Sequence, residues 1–600
     1  MSSRVRQRES LGHSGSVFES ALQRLERERV MGRIWERDAS VWKTEEPHRK
    51  VISNALGWLD VVGTMGERAG EIDSFAAEVR GAGFTHLMLL GMGGSSLCPE
   101  VLRRTFGRRE GYPELLVLDT TDPDTIASFE RRIDTARTLF IVSSKSGTTI
   151  EPLSFFKYFF HRVGEIKPGR AGENFVAITD PGTLMEREAT GAKFRRIFLN
   201  PPDIGGRYSA LSYFGMVPAA LMGLDAKELL RRAAGAVEAC APQVAATANE
   251  AARLGCVMGA LALAGRDKLT LVMDEPIGSL GLWIEQLVAE STGKEGRGVV
   301  PVAGETPGAP QVYDADRVFV AVQSGPLEES LAQRLRALEE AGHPVVYRTL
   351  TDLYDLGAEF FIWEMGTAVA GHLMSIDPFD QPNVQESKDN TNRLLEEFKK
   401  TGALPQQTPL VSEGELKLYG TQLPENSASL ESSTAESVTP TQTSATVTLS
   451  SVIEGFIKRA ESGDYIALLA YIQETEAHDR LLEALRTQLR DALHVATTTG
   501  YGPRFLHSTG QLHKGGPGSG IFIQLTDDDQ TDLAVPDEPY SFGVLKQAQA
   551  LGDFSSLAGH DRRALRLHLG LDAEAGLRRL LDIVRTGLAA SPAQSRSAEK

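Results

Sequence analysis

Four short apolar runs, each closing on a glycine, hydroxyl or aspartate, constrain this chain more than any other feature: LMLLG at 87–91, LLVLD at 115–119, LFIVS at 139–143 and FVAITD at 175–180. Runs without polar alternation belong to strands buried on both faces, which is the condition of a parallel sheet covered by helices. The turn residues at their ends then sit at the carboxyl edge, where such sheets bind ligands. A second series follows at 269–274 (LTLVMD), 318–322 (VFVAV) and 345–347 (VVY). Two doubly wound α/β domains in tandem, each on a parallel sheet, are the simplest account. At 600 residues the chain exceeds a single core, and one domain per roughly 150 residues suggests about three or four units.

The flanks differ in pattern. Residues 16–38 place Leu22, Leu25, Val30, Ile34 and Trp35 at near-helical spacing among charges, so the first 50 residues read as an amphipathic helical lead-in. Between 421 and 450 the composition turns to Ser, Thr, Ala, Glu and Pro, with too little apolar surface to offset the entropy of ordering; this is a linker. Residues 451–497 carry helical periodicity (Ile453, Phe456, Ile457, then Leu481, Leu482, Leu485, Leu489), and FLHSTGQLHKGG at 505–516 leads into the strand-like IFIQL at 521–525. The expected units are the lead-in (1–50), a first α/β domain (51–230), a second (231–420), the linker (421–450) and a smaller C-terminal α+β module (451–590).

Charge and cysteines narrow the function classes. With 63 Lys+Arg against 80 Asp+Glu, net −17, attraction to nucleic acid or to an anionic membrane is disfavoured. Three cysteines, Cys98, Cys240 and Cys256, lack any metal-ligand spacing and fit a reducing compartment, so the expected location is the cytoplasm. No signal peptide or spanning segment is expected from the pattern.

The chemistry-bearing residues lie in the turns. Gly91-Met92-Gly93-Gly94-Ser95-Ser96 follows the first strand, and its glycines let backbone approach a ligand oxygen. In the third turn, Ser144-Lys145-Ser146-Gly147-Thr148-Thr149 offers hydroxyls, an ammonium and backbone N–H groups to a phosphate. Arg207 follows two glycines, where a guanidinium can face a developing oxyanion. In the segment 280–290, Leu280, Trp283, Ile284, Leu287 and Val288 fall on one helix face, which leaves Gln286 and Glu290 aligned on another. A carboxylate at such a cleft edge suits removal of a proton from carbon next to a carbonyl. Pro378-Phe379-Asp380-Gln381-Pro382 reads as a turn before a helix that carries Lys388.

Taken in order, Gly91–Ser95, Ser144–Thr149, Gly205–Ser209, Gln286–Lys294 and Phe379–Lys388 resemble the phosphoglucose isomerases, which are built on two sugar-isomerase (SIS) domains. EQLVAESTGK together with PFDQPNVQESK is most similar to the isomerase half of bacterial bifunctional transaldolase/phosphoglucose isomerase proteins; no eightfold strand–helix series for a transaldolase barrel is evident. The resemblance implies that Ser144, Lys145, Ser146 and Thr149 hold a sugar phosphate and that Gly94, Ser95 and Gln286 contact the substrate. Arg207 would stabilise an enediolate, Glu290 would shuttle the proton between C1 and C2, and Lys388 would assist at the ring oxygen. It implies glucose 6-phosphate and fructose 6-phosphate as substrates, no metal and no organic cofactor. Asn383 and Gln385 stand where the family pattern has Gly and Glu. The ring-opening histidine has no counterpart between Glu290 and Lys388: His343 sits in a turn and His372 in an apolar helix. The C-terminal module is expected to supply it through His513 or His507. Related enzymes are commonly dimers that share residues across subunits, so a homodimer is one expectation and a site completed within one chain the other. Rival readings are an SIS enzyme for mannose or glucosamine phosphate, and a noncatalytic sugar-phosphate sensor.

Overall fold

In the computed structural model the chain is described over residues 6–420 and 447–589. The first sheet has five strands, all parallel, in the spatial order Glu114–Leu118, His86–Gly91, Thr138–Ser143, Phe175–Thr179, Arg196–Leu199. The apolar runs become its strands because both faces are buried. Leu87, Leu89, Leu139 and Ile141 face one hydrophobic cluster, whereas Met88, Leu90, Phe140 and Val142 face another.

The second sheet aligns Val345–Thr349, Arg317–Gln323, Lys268–Met273 and Val300–Val302 in parallel. Its remaining edge is Arg6–Ser10, antiparallel to Val345–Thr349. The lead-in is therefore more than a helix: after this strand come Gly15–Arg27 and Val30–Trp35, separated at Arg29, which takes a left-handed conformation with φ 52°.

The third unit is built on a mixed six-stranded sheet. Arg563–His568, Gly520–Thr526, Tyr465–Tyr471 and Ala496–Tyr501 run parallel, and the hairpin Val411–Glu413/Leu416–Gly420 adds antiparallel strands at the Arg563–His568 edge. Strand Tyr465–Tyr471 lies inside the stretch whose periodicity reads as helical; the helices there are Leu449–Ile457 and Glu476–Leu493. The unit takes strands from both sides of the segment read as a linker, whose residues 421–446 lie outside the described residues.

The third unit docks on the other two through buried polar contacts. Lys546 Nζ is 3.0 Å from Asp122 Oδ2 in the first unit, and Arg486 donates to the carbonyl of Ala303 at 2.9 Å in the second. Among the described residues no helix is long and apolar enough to cross a membrane.

Candidate active site

Three carboxyl-edge turns and one segment of the third unit meet in a cleft. Strand Thr138–Ser143 runs into the 144–149 loop, and helix Ile150–Ile166 begins where the loop ends, with Thr149 at its N-cap making no side-chain capping bond. The helix's free N–H groups and dipole thus point at the loop. Gly147, at φ +66°, allows the reversal, and its N–H donates to Ser144 Oγ at 3.2 Å. Ser146 and Thr148 are exposed, with Ser146 Oγ 3.4 Å from Thr149 Oγ1. Lys145 is turned to other partners: its ammonium donates to the Asp180 carboxylate and to the carbonyl of Pro202 at 3.0 Å.

The first turn sets the floor. A Cβ on Gly94 would lie 2.0 Å from the Gly206 carbonyl oxygen, so the Gly93–Ser95 turn touches the turn that carries Arg207. Ser143 Oγ holds it by donating to the Ser95 carbonyl at 2.9 Å. Gly94→Ala must push these turns apart, a strain of about 1–3 kcal/mol. We expect a lower melting temperature and a severely reduced turnover; a variant unchanged in both would show that the close approach is dispensable.

Arg207 is nearly fully buried and spends its guanidinium on neighbours. Nε donates to Ser291 Oγ at 2.7 Å, Nη1 to Gln381 Oε1 at 2.9 Å, and Nη2 to the carbonyls of Pro378 and Asp380 at 2.7 and 2.9 Å. Among the described residues, the carboxylate within ion-pair distance of it is Glu290, with Nη1 3.6 Å from Oε1. Beside it, Lys294 Nζ donates to Asp380 Oδ1 and the Asp377 carbonyl, both at 2.7 Å. Burial, then the nearby Arg207 charge, push the Lys294 ammonium down to about 8 despite Asp380. Arg207 and Lys294 together pin the 377–381 turn that precedes helix Pro382–Thr401.

Helix Leu280–Thr292 is buried along its length, and its polar residues divide between two sides. Gln286 Nε2 donates to Glu290 Oε2 at 3.3 Å and to the backbone carbonyl of His507 at 2.6 Å. Glu285 faces away from this pair, and burial raises its carboxyl to about 7, against the attraction of Arg486 and Arg504. A carboxyl raised in the folded state is a stabilising proton site below the unfolded value near 4.5, and that contribution is lost as pH rises through about 7. Glu285→Gln should therefore raise the melting temperature at pH 8, by up to about 3 kcal/mol of stability, and change it little at pH 5. Equal shifts at both pH values would contradict this.

The third unit places its two candidate histidines differently. His507 lines the cleft: Nε2 lies 2.9 Å from Oε1 of Glu151, in the first turn of the helix after the phosphate-type loop. The same oxygen accepts from Gln549 Nε2 at 2.7 Å. Burial opposes the Glu151 charge, yet His507, its backbone N–H partner and Lys388 outweigh it and hold the carboxyl below the ordinary glutamate range. His513, by contrast, is enclosed by Phe522, Phe505 and Tyr465, with ring centroids 5.0, 6.0 and 6.4 Å away. Burial, then Lys514 and Arg562, drive its basicity well down. This is a correction to its pairing with His507: His513 is a core residue of the third unit. His372 is also held in the core, with Nδ1 2.7 Å from the Val41 carbonyl.

Lys388 is exposed on helix Pro382–Thr401, and its charge reaches Glu151. Sequence reasoning missed Gln511, which bridges the third unit to both neighbouring elements. Its Nε2 donates to the Gly293 carbonyl at 3.0 Å and Asn383 Oδ1 at 2.8 Å, while its Oε1 accepts from Asn383 N at 2.9 Å. Asn383, at the position of a family glycine, thus has a partner for both its backbone and its side chain. Only its separation of 128 residues from Gln511 hid the pairing. Arg207, Glu290, Gln286 and His507 are joined by a chain of contacts that ends on Glu151, two residues beyond the 144–149 loop.

Among the described residues, two groups of acidic and histidine side chains have spacing suited to a cation, and in each a lysine supplies the charge. Lys294 binds Asp380 beside His48 and Asp377, and Lys546 bonds Asp122, Asp527 and Asp529.

The sequence profile of the family described as Phosphoglucose isomerase matches residues 49–303. Glu290 and Arg207 fall within the match, Lys388 and His507 beyond it. The glucose-6-phosphate isomerase of Rubrobacter xylanophilus is 31% identical over 363 residues, which span 52% of this chain and 83% of that protein. The enzyme of the same name from Symbiobacterium thermophilum is 28% identical over 391 residues, 56% and 86% of the two chains. Among solved structures, a glucose-6-phosphate isomerase from Chlamydia trachomatis superposes with TM-score 0.54 at 19% identity, covering 67% of this chain and 90% of that one, a likeness of fold. On this sequence relationship, the chain belongs to the phosphoglucose isomerase family.

Proposed function

We propose that this chain is a glucose-6-phosphate isomerase, interconverting glucose 6-phosphate and fructose 6-phosphate through a cis-enediolate. The single observation that carries the reading is the convergence of Glu290, Arg207 and His507 on one cleft beside the 144–149 loop. In this mechanism the phosphate ester occupies the loop, bound by Ser144, Ser146, Thr149 and the N-terminus of helix Ile150–Ile166, with Lys145 adding long-range charge. His507, backed by Glu151 and helped by Lys388, moves the proton between the ring oxygen and the anomeric hydroxyl, opening the ring. Glu290 then takes the proton from C2 of the open aldose, the enediolate oxygens lie against Arg207 while the hydroxyl proton passes from O2 to O1, and Glu290 returns the proton to C1. The same carboxylate accepts and donates, so no oxidant or reductant enters the balance.

The third unit supports a site completed within one chain, since His507, Gln511 and Gln549 all come from it. We also assign the chain to the isomerase branch found in bifunctional transaldolase fusions, on the two motifs noted above. A coupled assay for glucose 6-phosphate formed from fructose 6-phosphate tests the function. Faster turnover of mannose 6-phosphate or glucosamine 6-phosphate would shift the substrate, and tight binding of all three without turnover would identify a sensor.

A further inference from the structure

A second cavity of about 720 Å³ opens behind helix Leu280–Thr292, between the second sheet and the third unit. Gly281, Leu282 and Glu285 line it, whereas Gln286 and Glu290 face the active-site cleft. The helix start is closed to an anion, because the N–H groups of Leu280, Gly281 and Leu282 donate to the carbonyls of Ile277, Gly278 and Ser279. What the wall leaves unsatisfied is a carboxyl. Glu285 is 7% exposed, and among the described residues it makes no hydrogen bond and no ion pair. Arg486 and Arg504 attract it from beyond ion-pair distance, but burial outweighs them and holds it up at about 7.

The other charges around the cavity are mostly matched. Arg504 pairs with Asp119 and Glu474 at 3.3 and 2.8 Å, and Arg104 pairs with Glu100 and Glu474. Arg486 donates to the carbonyls of Ala303 and Thr497 and has Nε 3.7 Å from Glu483. Glu305 is matched by Arg317 and Arg490. Left over with Glu285 are Asp479, which accepts from Tyr501 Oη at 2.6 Å, and the exposed rim residues Glu275 and Glu328. Against them stands Arg334, also exposed, which donates to the Pro307 carbonyl. Four carboxyls to one guanidinium make the cavity negative once Glu285 ionises.

We propose that this cavity binds a small organic ammonium ion, with the charged nitrogen on Glu285 and the carbon chain on the apolar part of the wall. The ammonium gives the buried carboxyl the charge-assisted hydrogen bond it lacks. Leu97, Leu271 and Leu282 line the cavity and cover methylene groups, while Tyr501 and Phe505 supply aromatic rings of the kind that attract ammonium groups. A bare metal ion suits the wall less. Among the described residues, no three acidic or histidine ligand atoms of this cavity lie within 4.8 Å of one another, and hard cations take several oxygens at once. An alkylammonium keeps its charge through neutral pH, and Glu285 gains its own as pH rises through about 7. Affinity therefore increases with pH over that range.

Calorimetric titration of the full chain with 1,4-diaminobutane tests this, beside butane-1,4-diol and succinate as neutral and anionic probes with the same four-carbon chain. At pH 8 we expect the diamine to bind at one site per chain and the other two not to bind. Saturating hexose phosphate should leave that affinity unchanged, since the active site lies across the helix. Glu285→Gln should weaken diamine binding at least about tenfold, with thermal melting as the control for folding. In the unsubstituted chain, lowering the pH to 5.5 should weaken it by a similar factor. No diamine binding, equal affinity for the diol, displacement by hexose phosphate, or undiminished affinity in a folded Glu285→Gln protein would overturn the proposal.

Discussion

Glu290→Gln is expected to bind substrate and to turn it over about a thousandfold more slowly, a loss of about 4 kcal/mol at the transition state. The amide keeps the volume of the carboxyl, and its one oxygen can still meet either Gln286 or Arg207, which lie 3.3 and 3.6 Å from the two Glu290 oxygens. It cannot accept a proton from carbon. Because the phosphate anchor is on separate residues, KM should change little while kcat falls, the signature of an interaction made only in the transition state. Thermal melting serves as the control for folding. Near-native turnover in a folded Glu290→Gln protein would remove the carboxylate from the mechanism, whatever the family relationship.

How much of this was legible in the sequence depends on where each signal resides. Seven strands of the first two sheets announce themselves because burial on both faces requires unbroken apolar runs, as at 139–142, whereas the partly exposed edge strand Arg196–Leu199 and the three-residue Val300–Val302 do not. Arg6–Ser10, with the sequence RQRES, carries no such signal. It is an edge strand, and its charges suit an edge exposed on one side. YIALLAY at 465–471 is as apolar as the others, but helical periodicity on both sides absorbed it. At the site, the motif residues of the first two units were readable because turn chemistry is local. His507 and His513 were not separable, since both occupy the same polar, glycine-containing segment. Only the packing of Tyr465 and Phe522, from different strands, shows which ring is enclosed. Gln511 and Gln549 were invisible for the same reason: each acts on a residue more than a hundred positions away.

His507→Ala gives the second large expected effect and separates ring opening from isomerisation. On fructose 6-phosphate, which is mainly cyclic, kcat/KM should fall by about 10²–10³, the range of a single general acid–base residue. 5-Deoxyfructose 6-phosphate lacks the hydroxyl that closes the furanose ring and keeps the six-carbon span, so it reaches Glu290 already open; its turnover should fall less than about tenfold. Glu151→Gln should follow the same split at smaller amplitude. The amide oxygen can still accept from His507 at the present 2.9 Å but no longer offers a charge to a protonated ring. A merely structural role for this pair would depress both substrates alike. Equal losses on the cyclic and acyclic substrates would therefore take His507 out of ring opening. Full activity of His507→Ala on fructose 6-phosphate would mean that the third unit contributes only packing to the cleft.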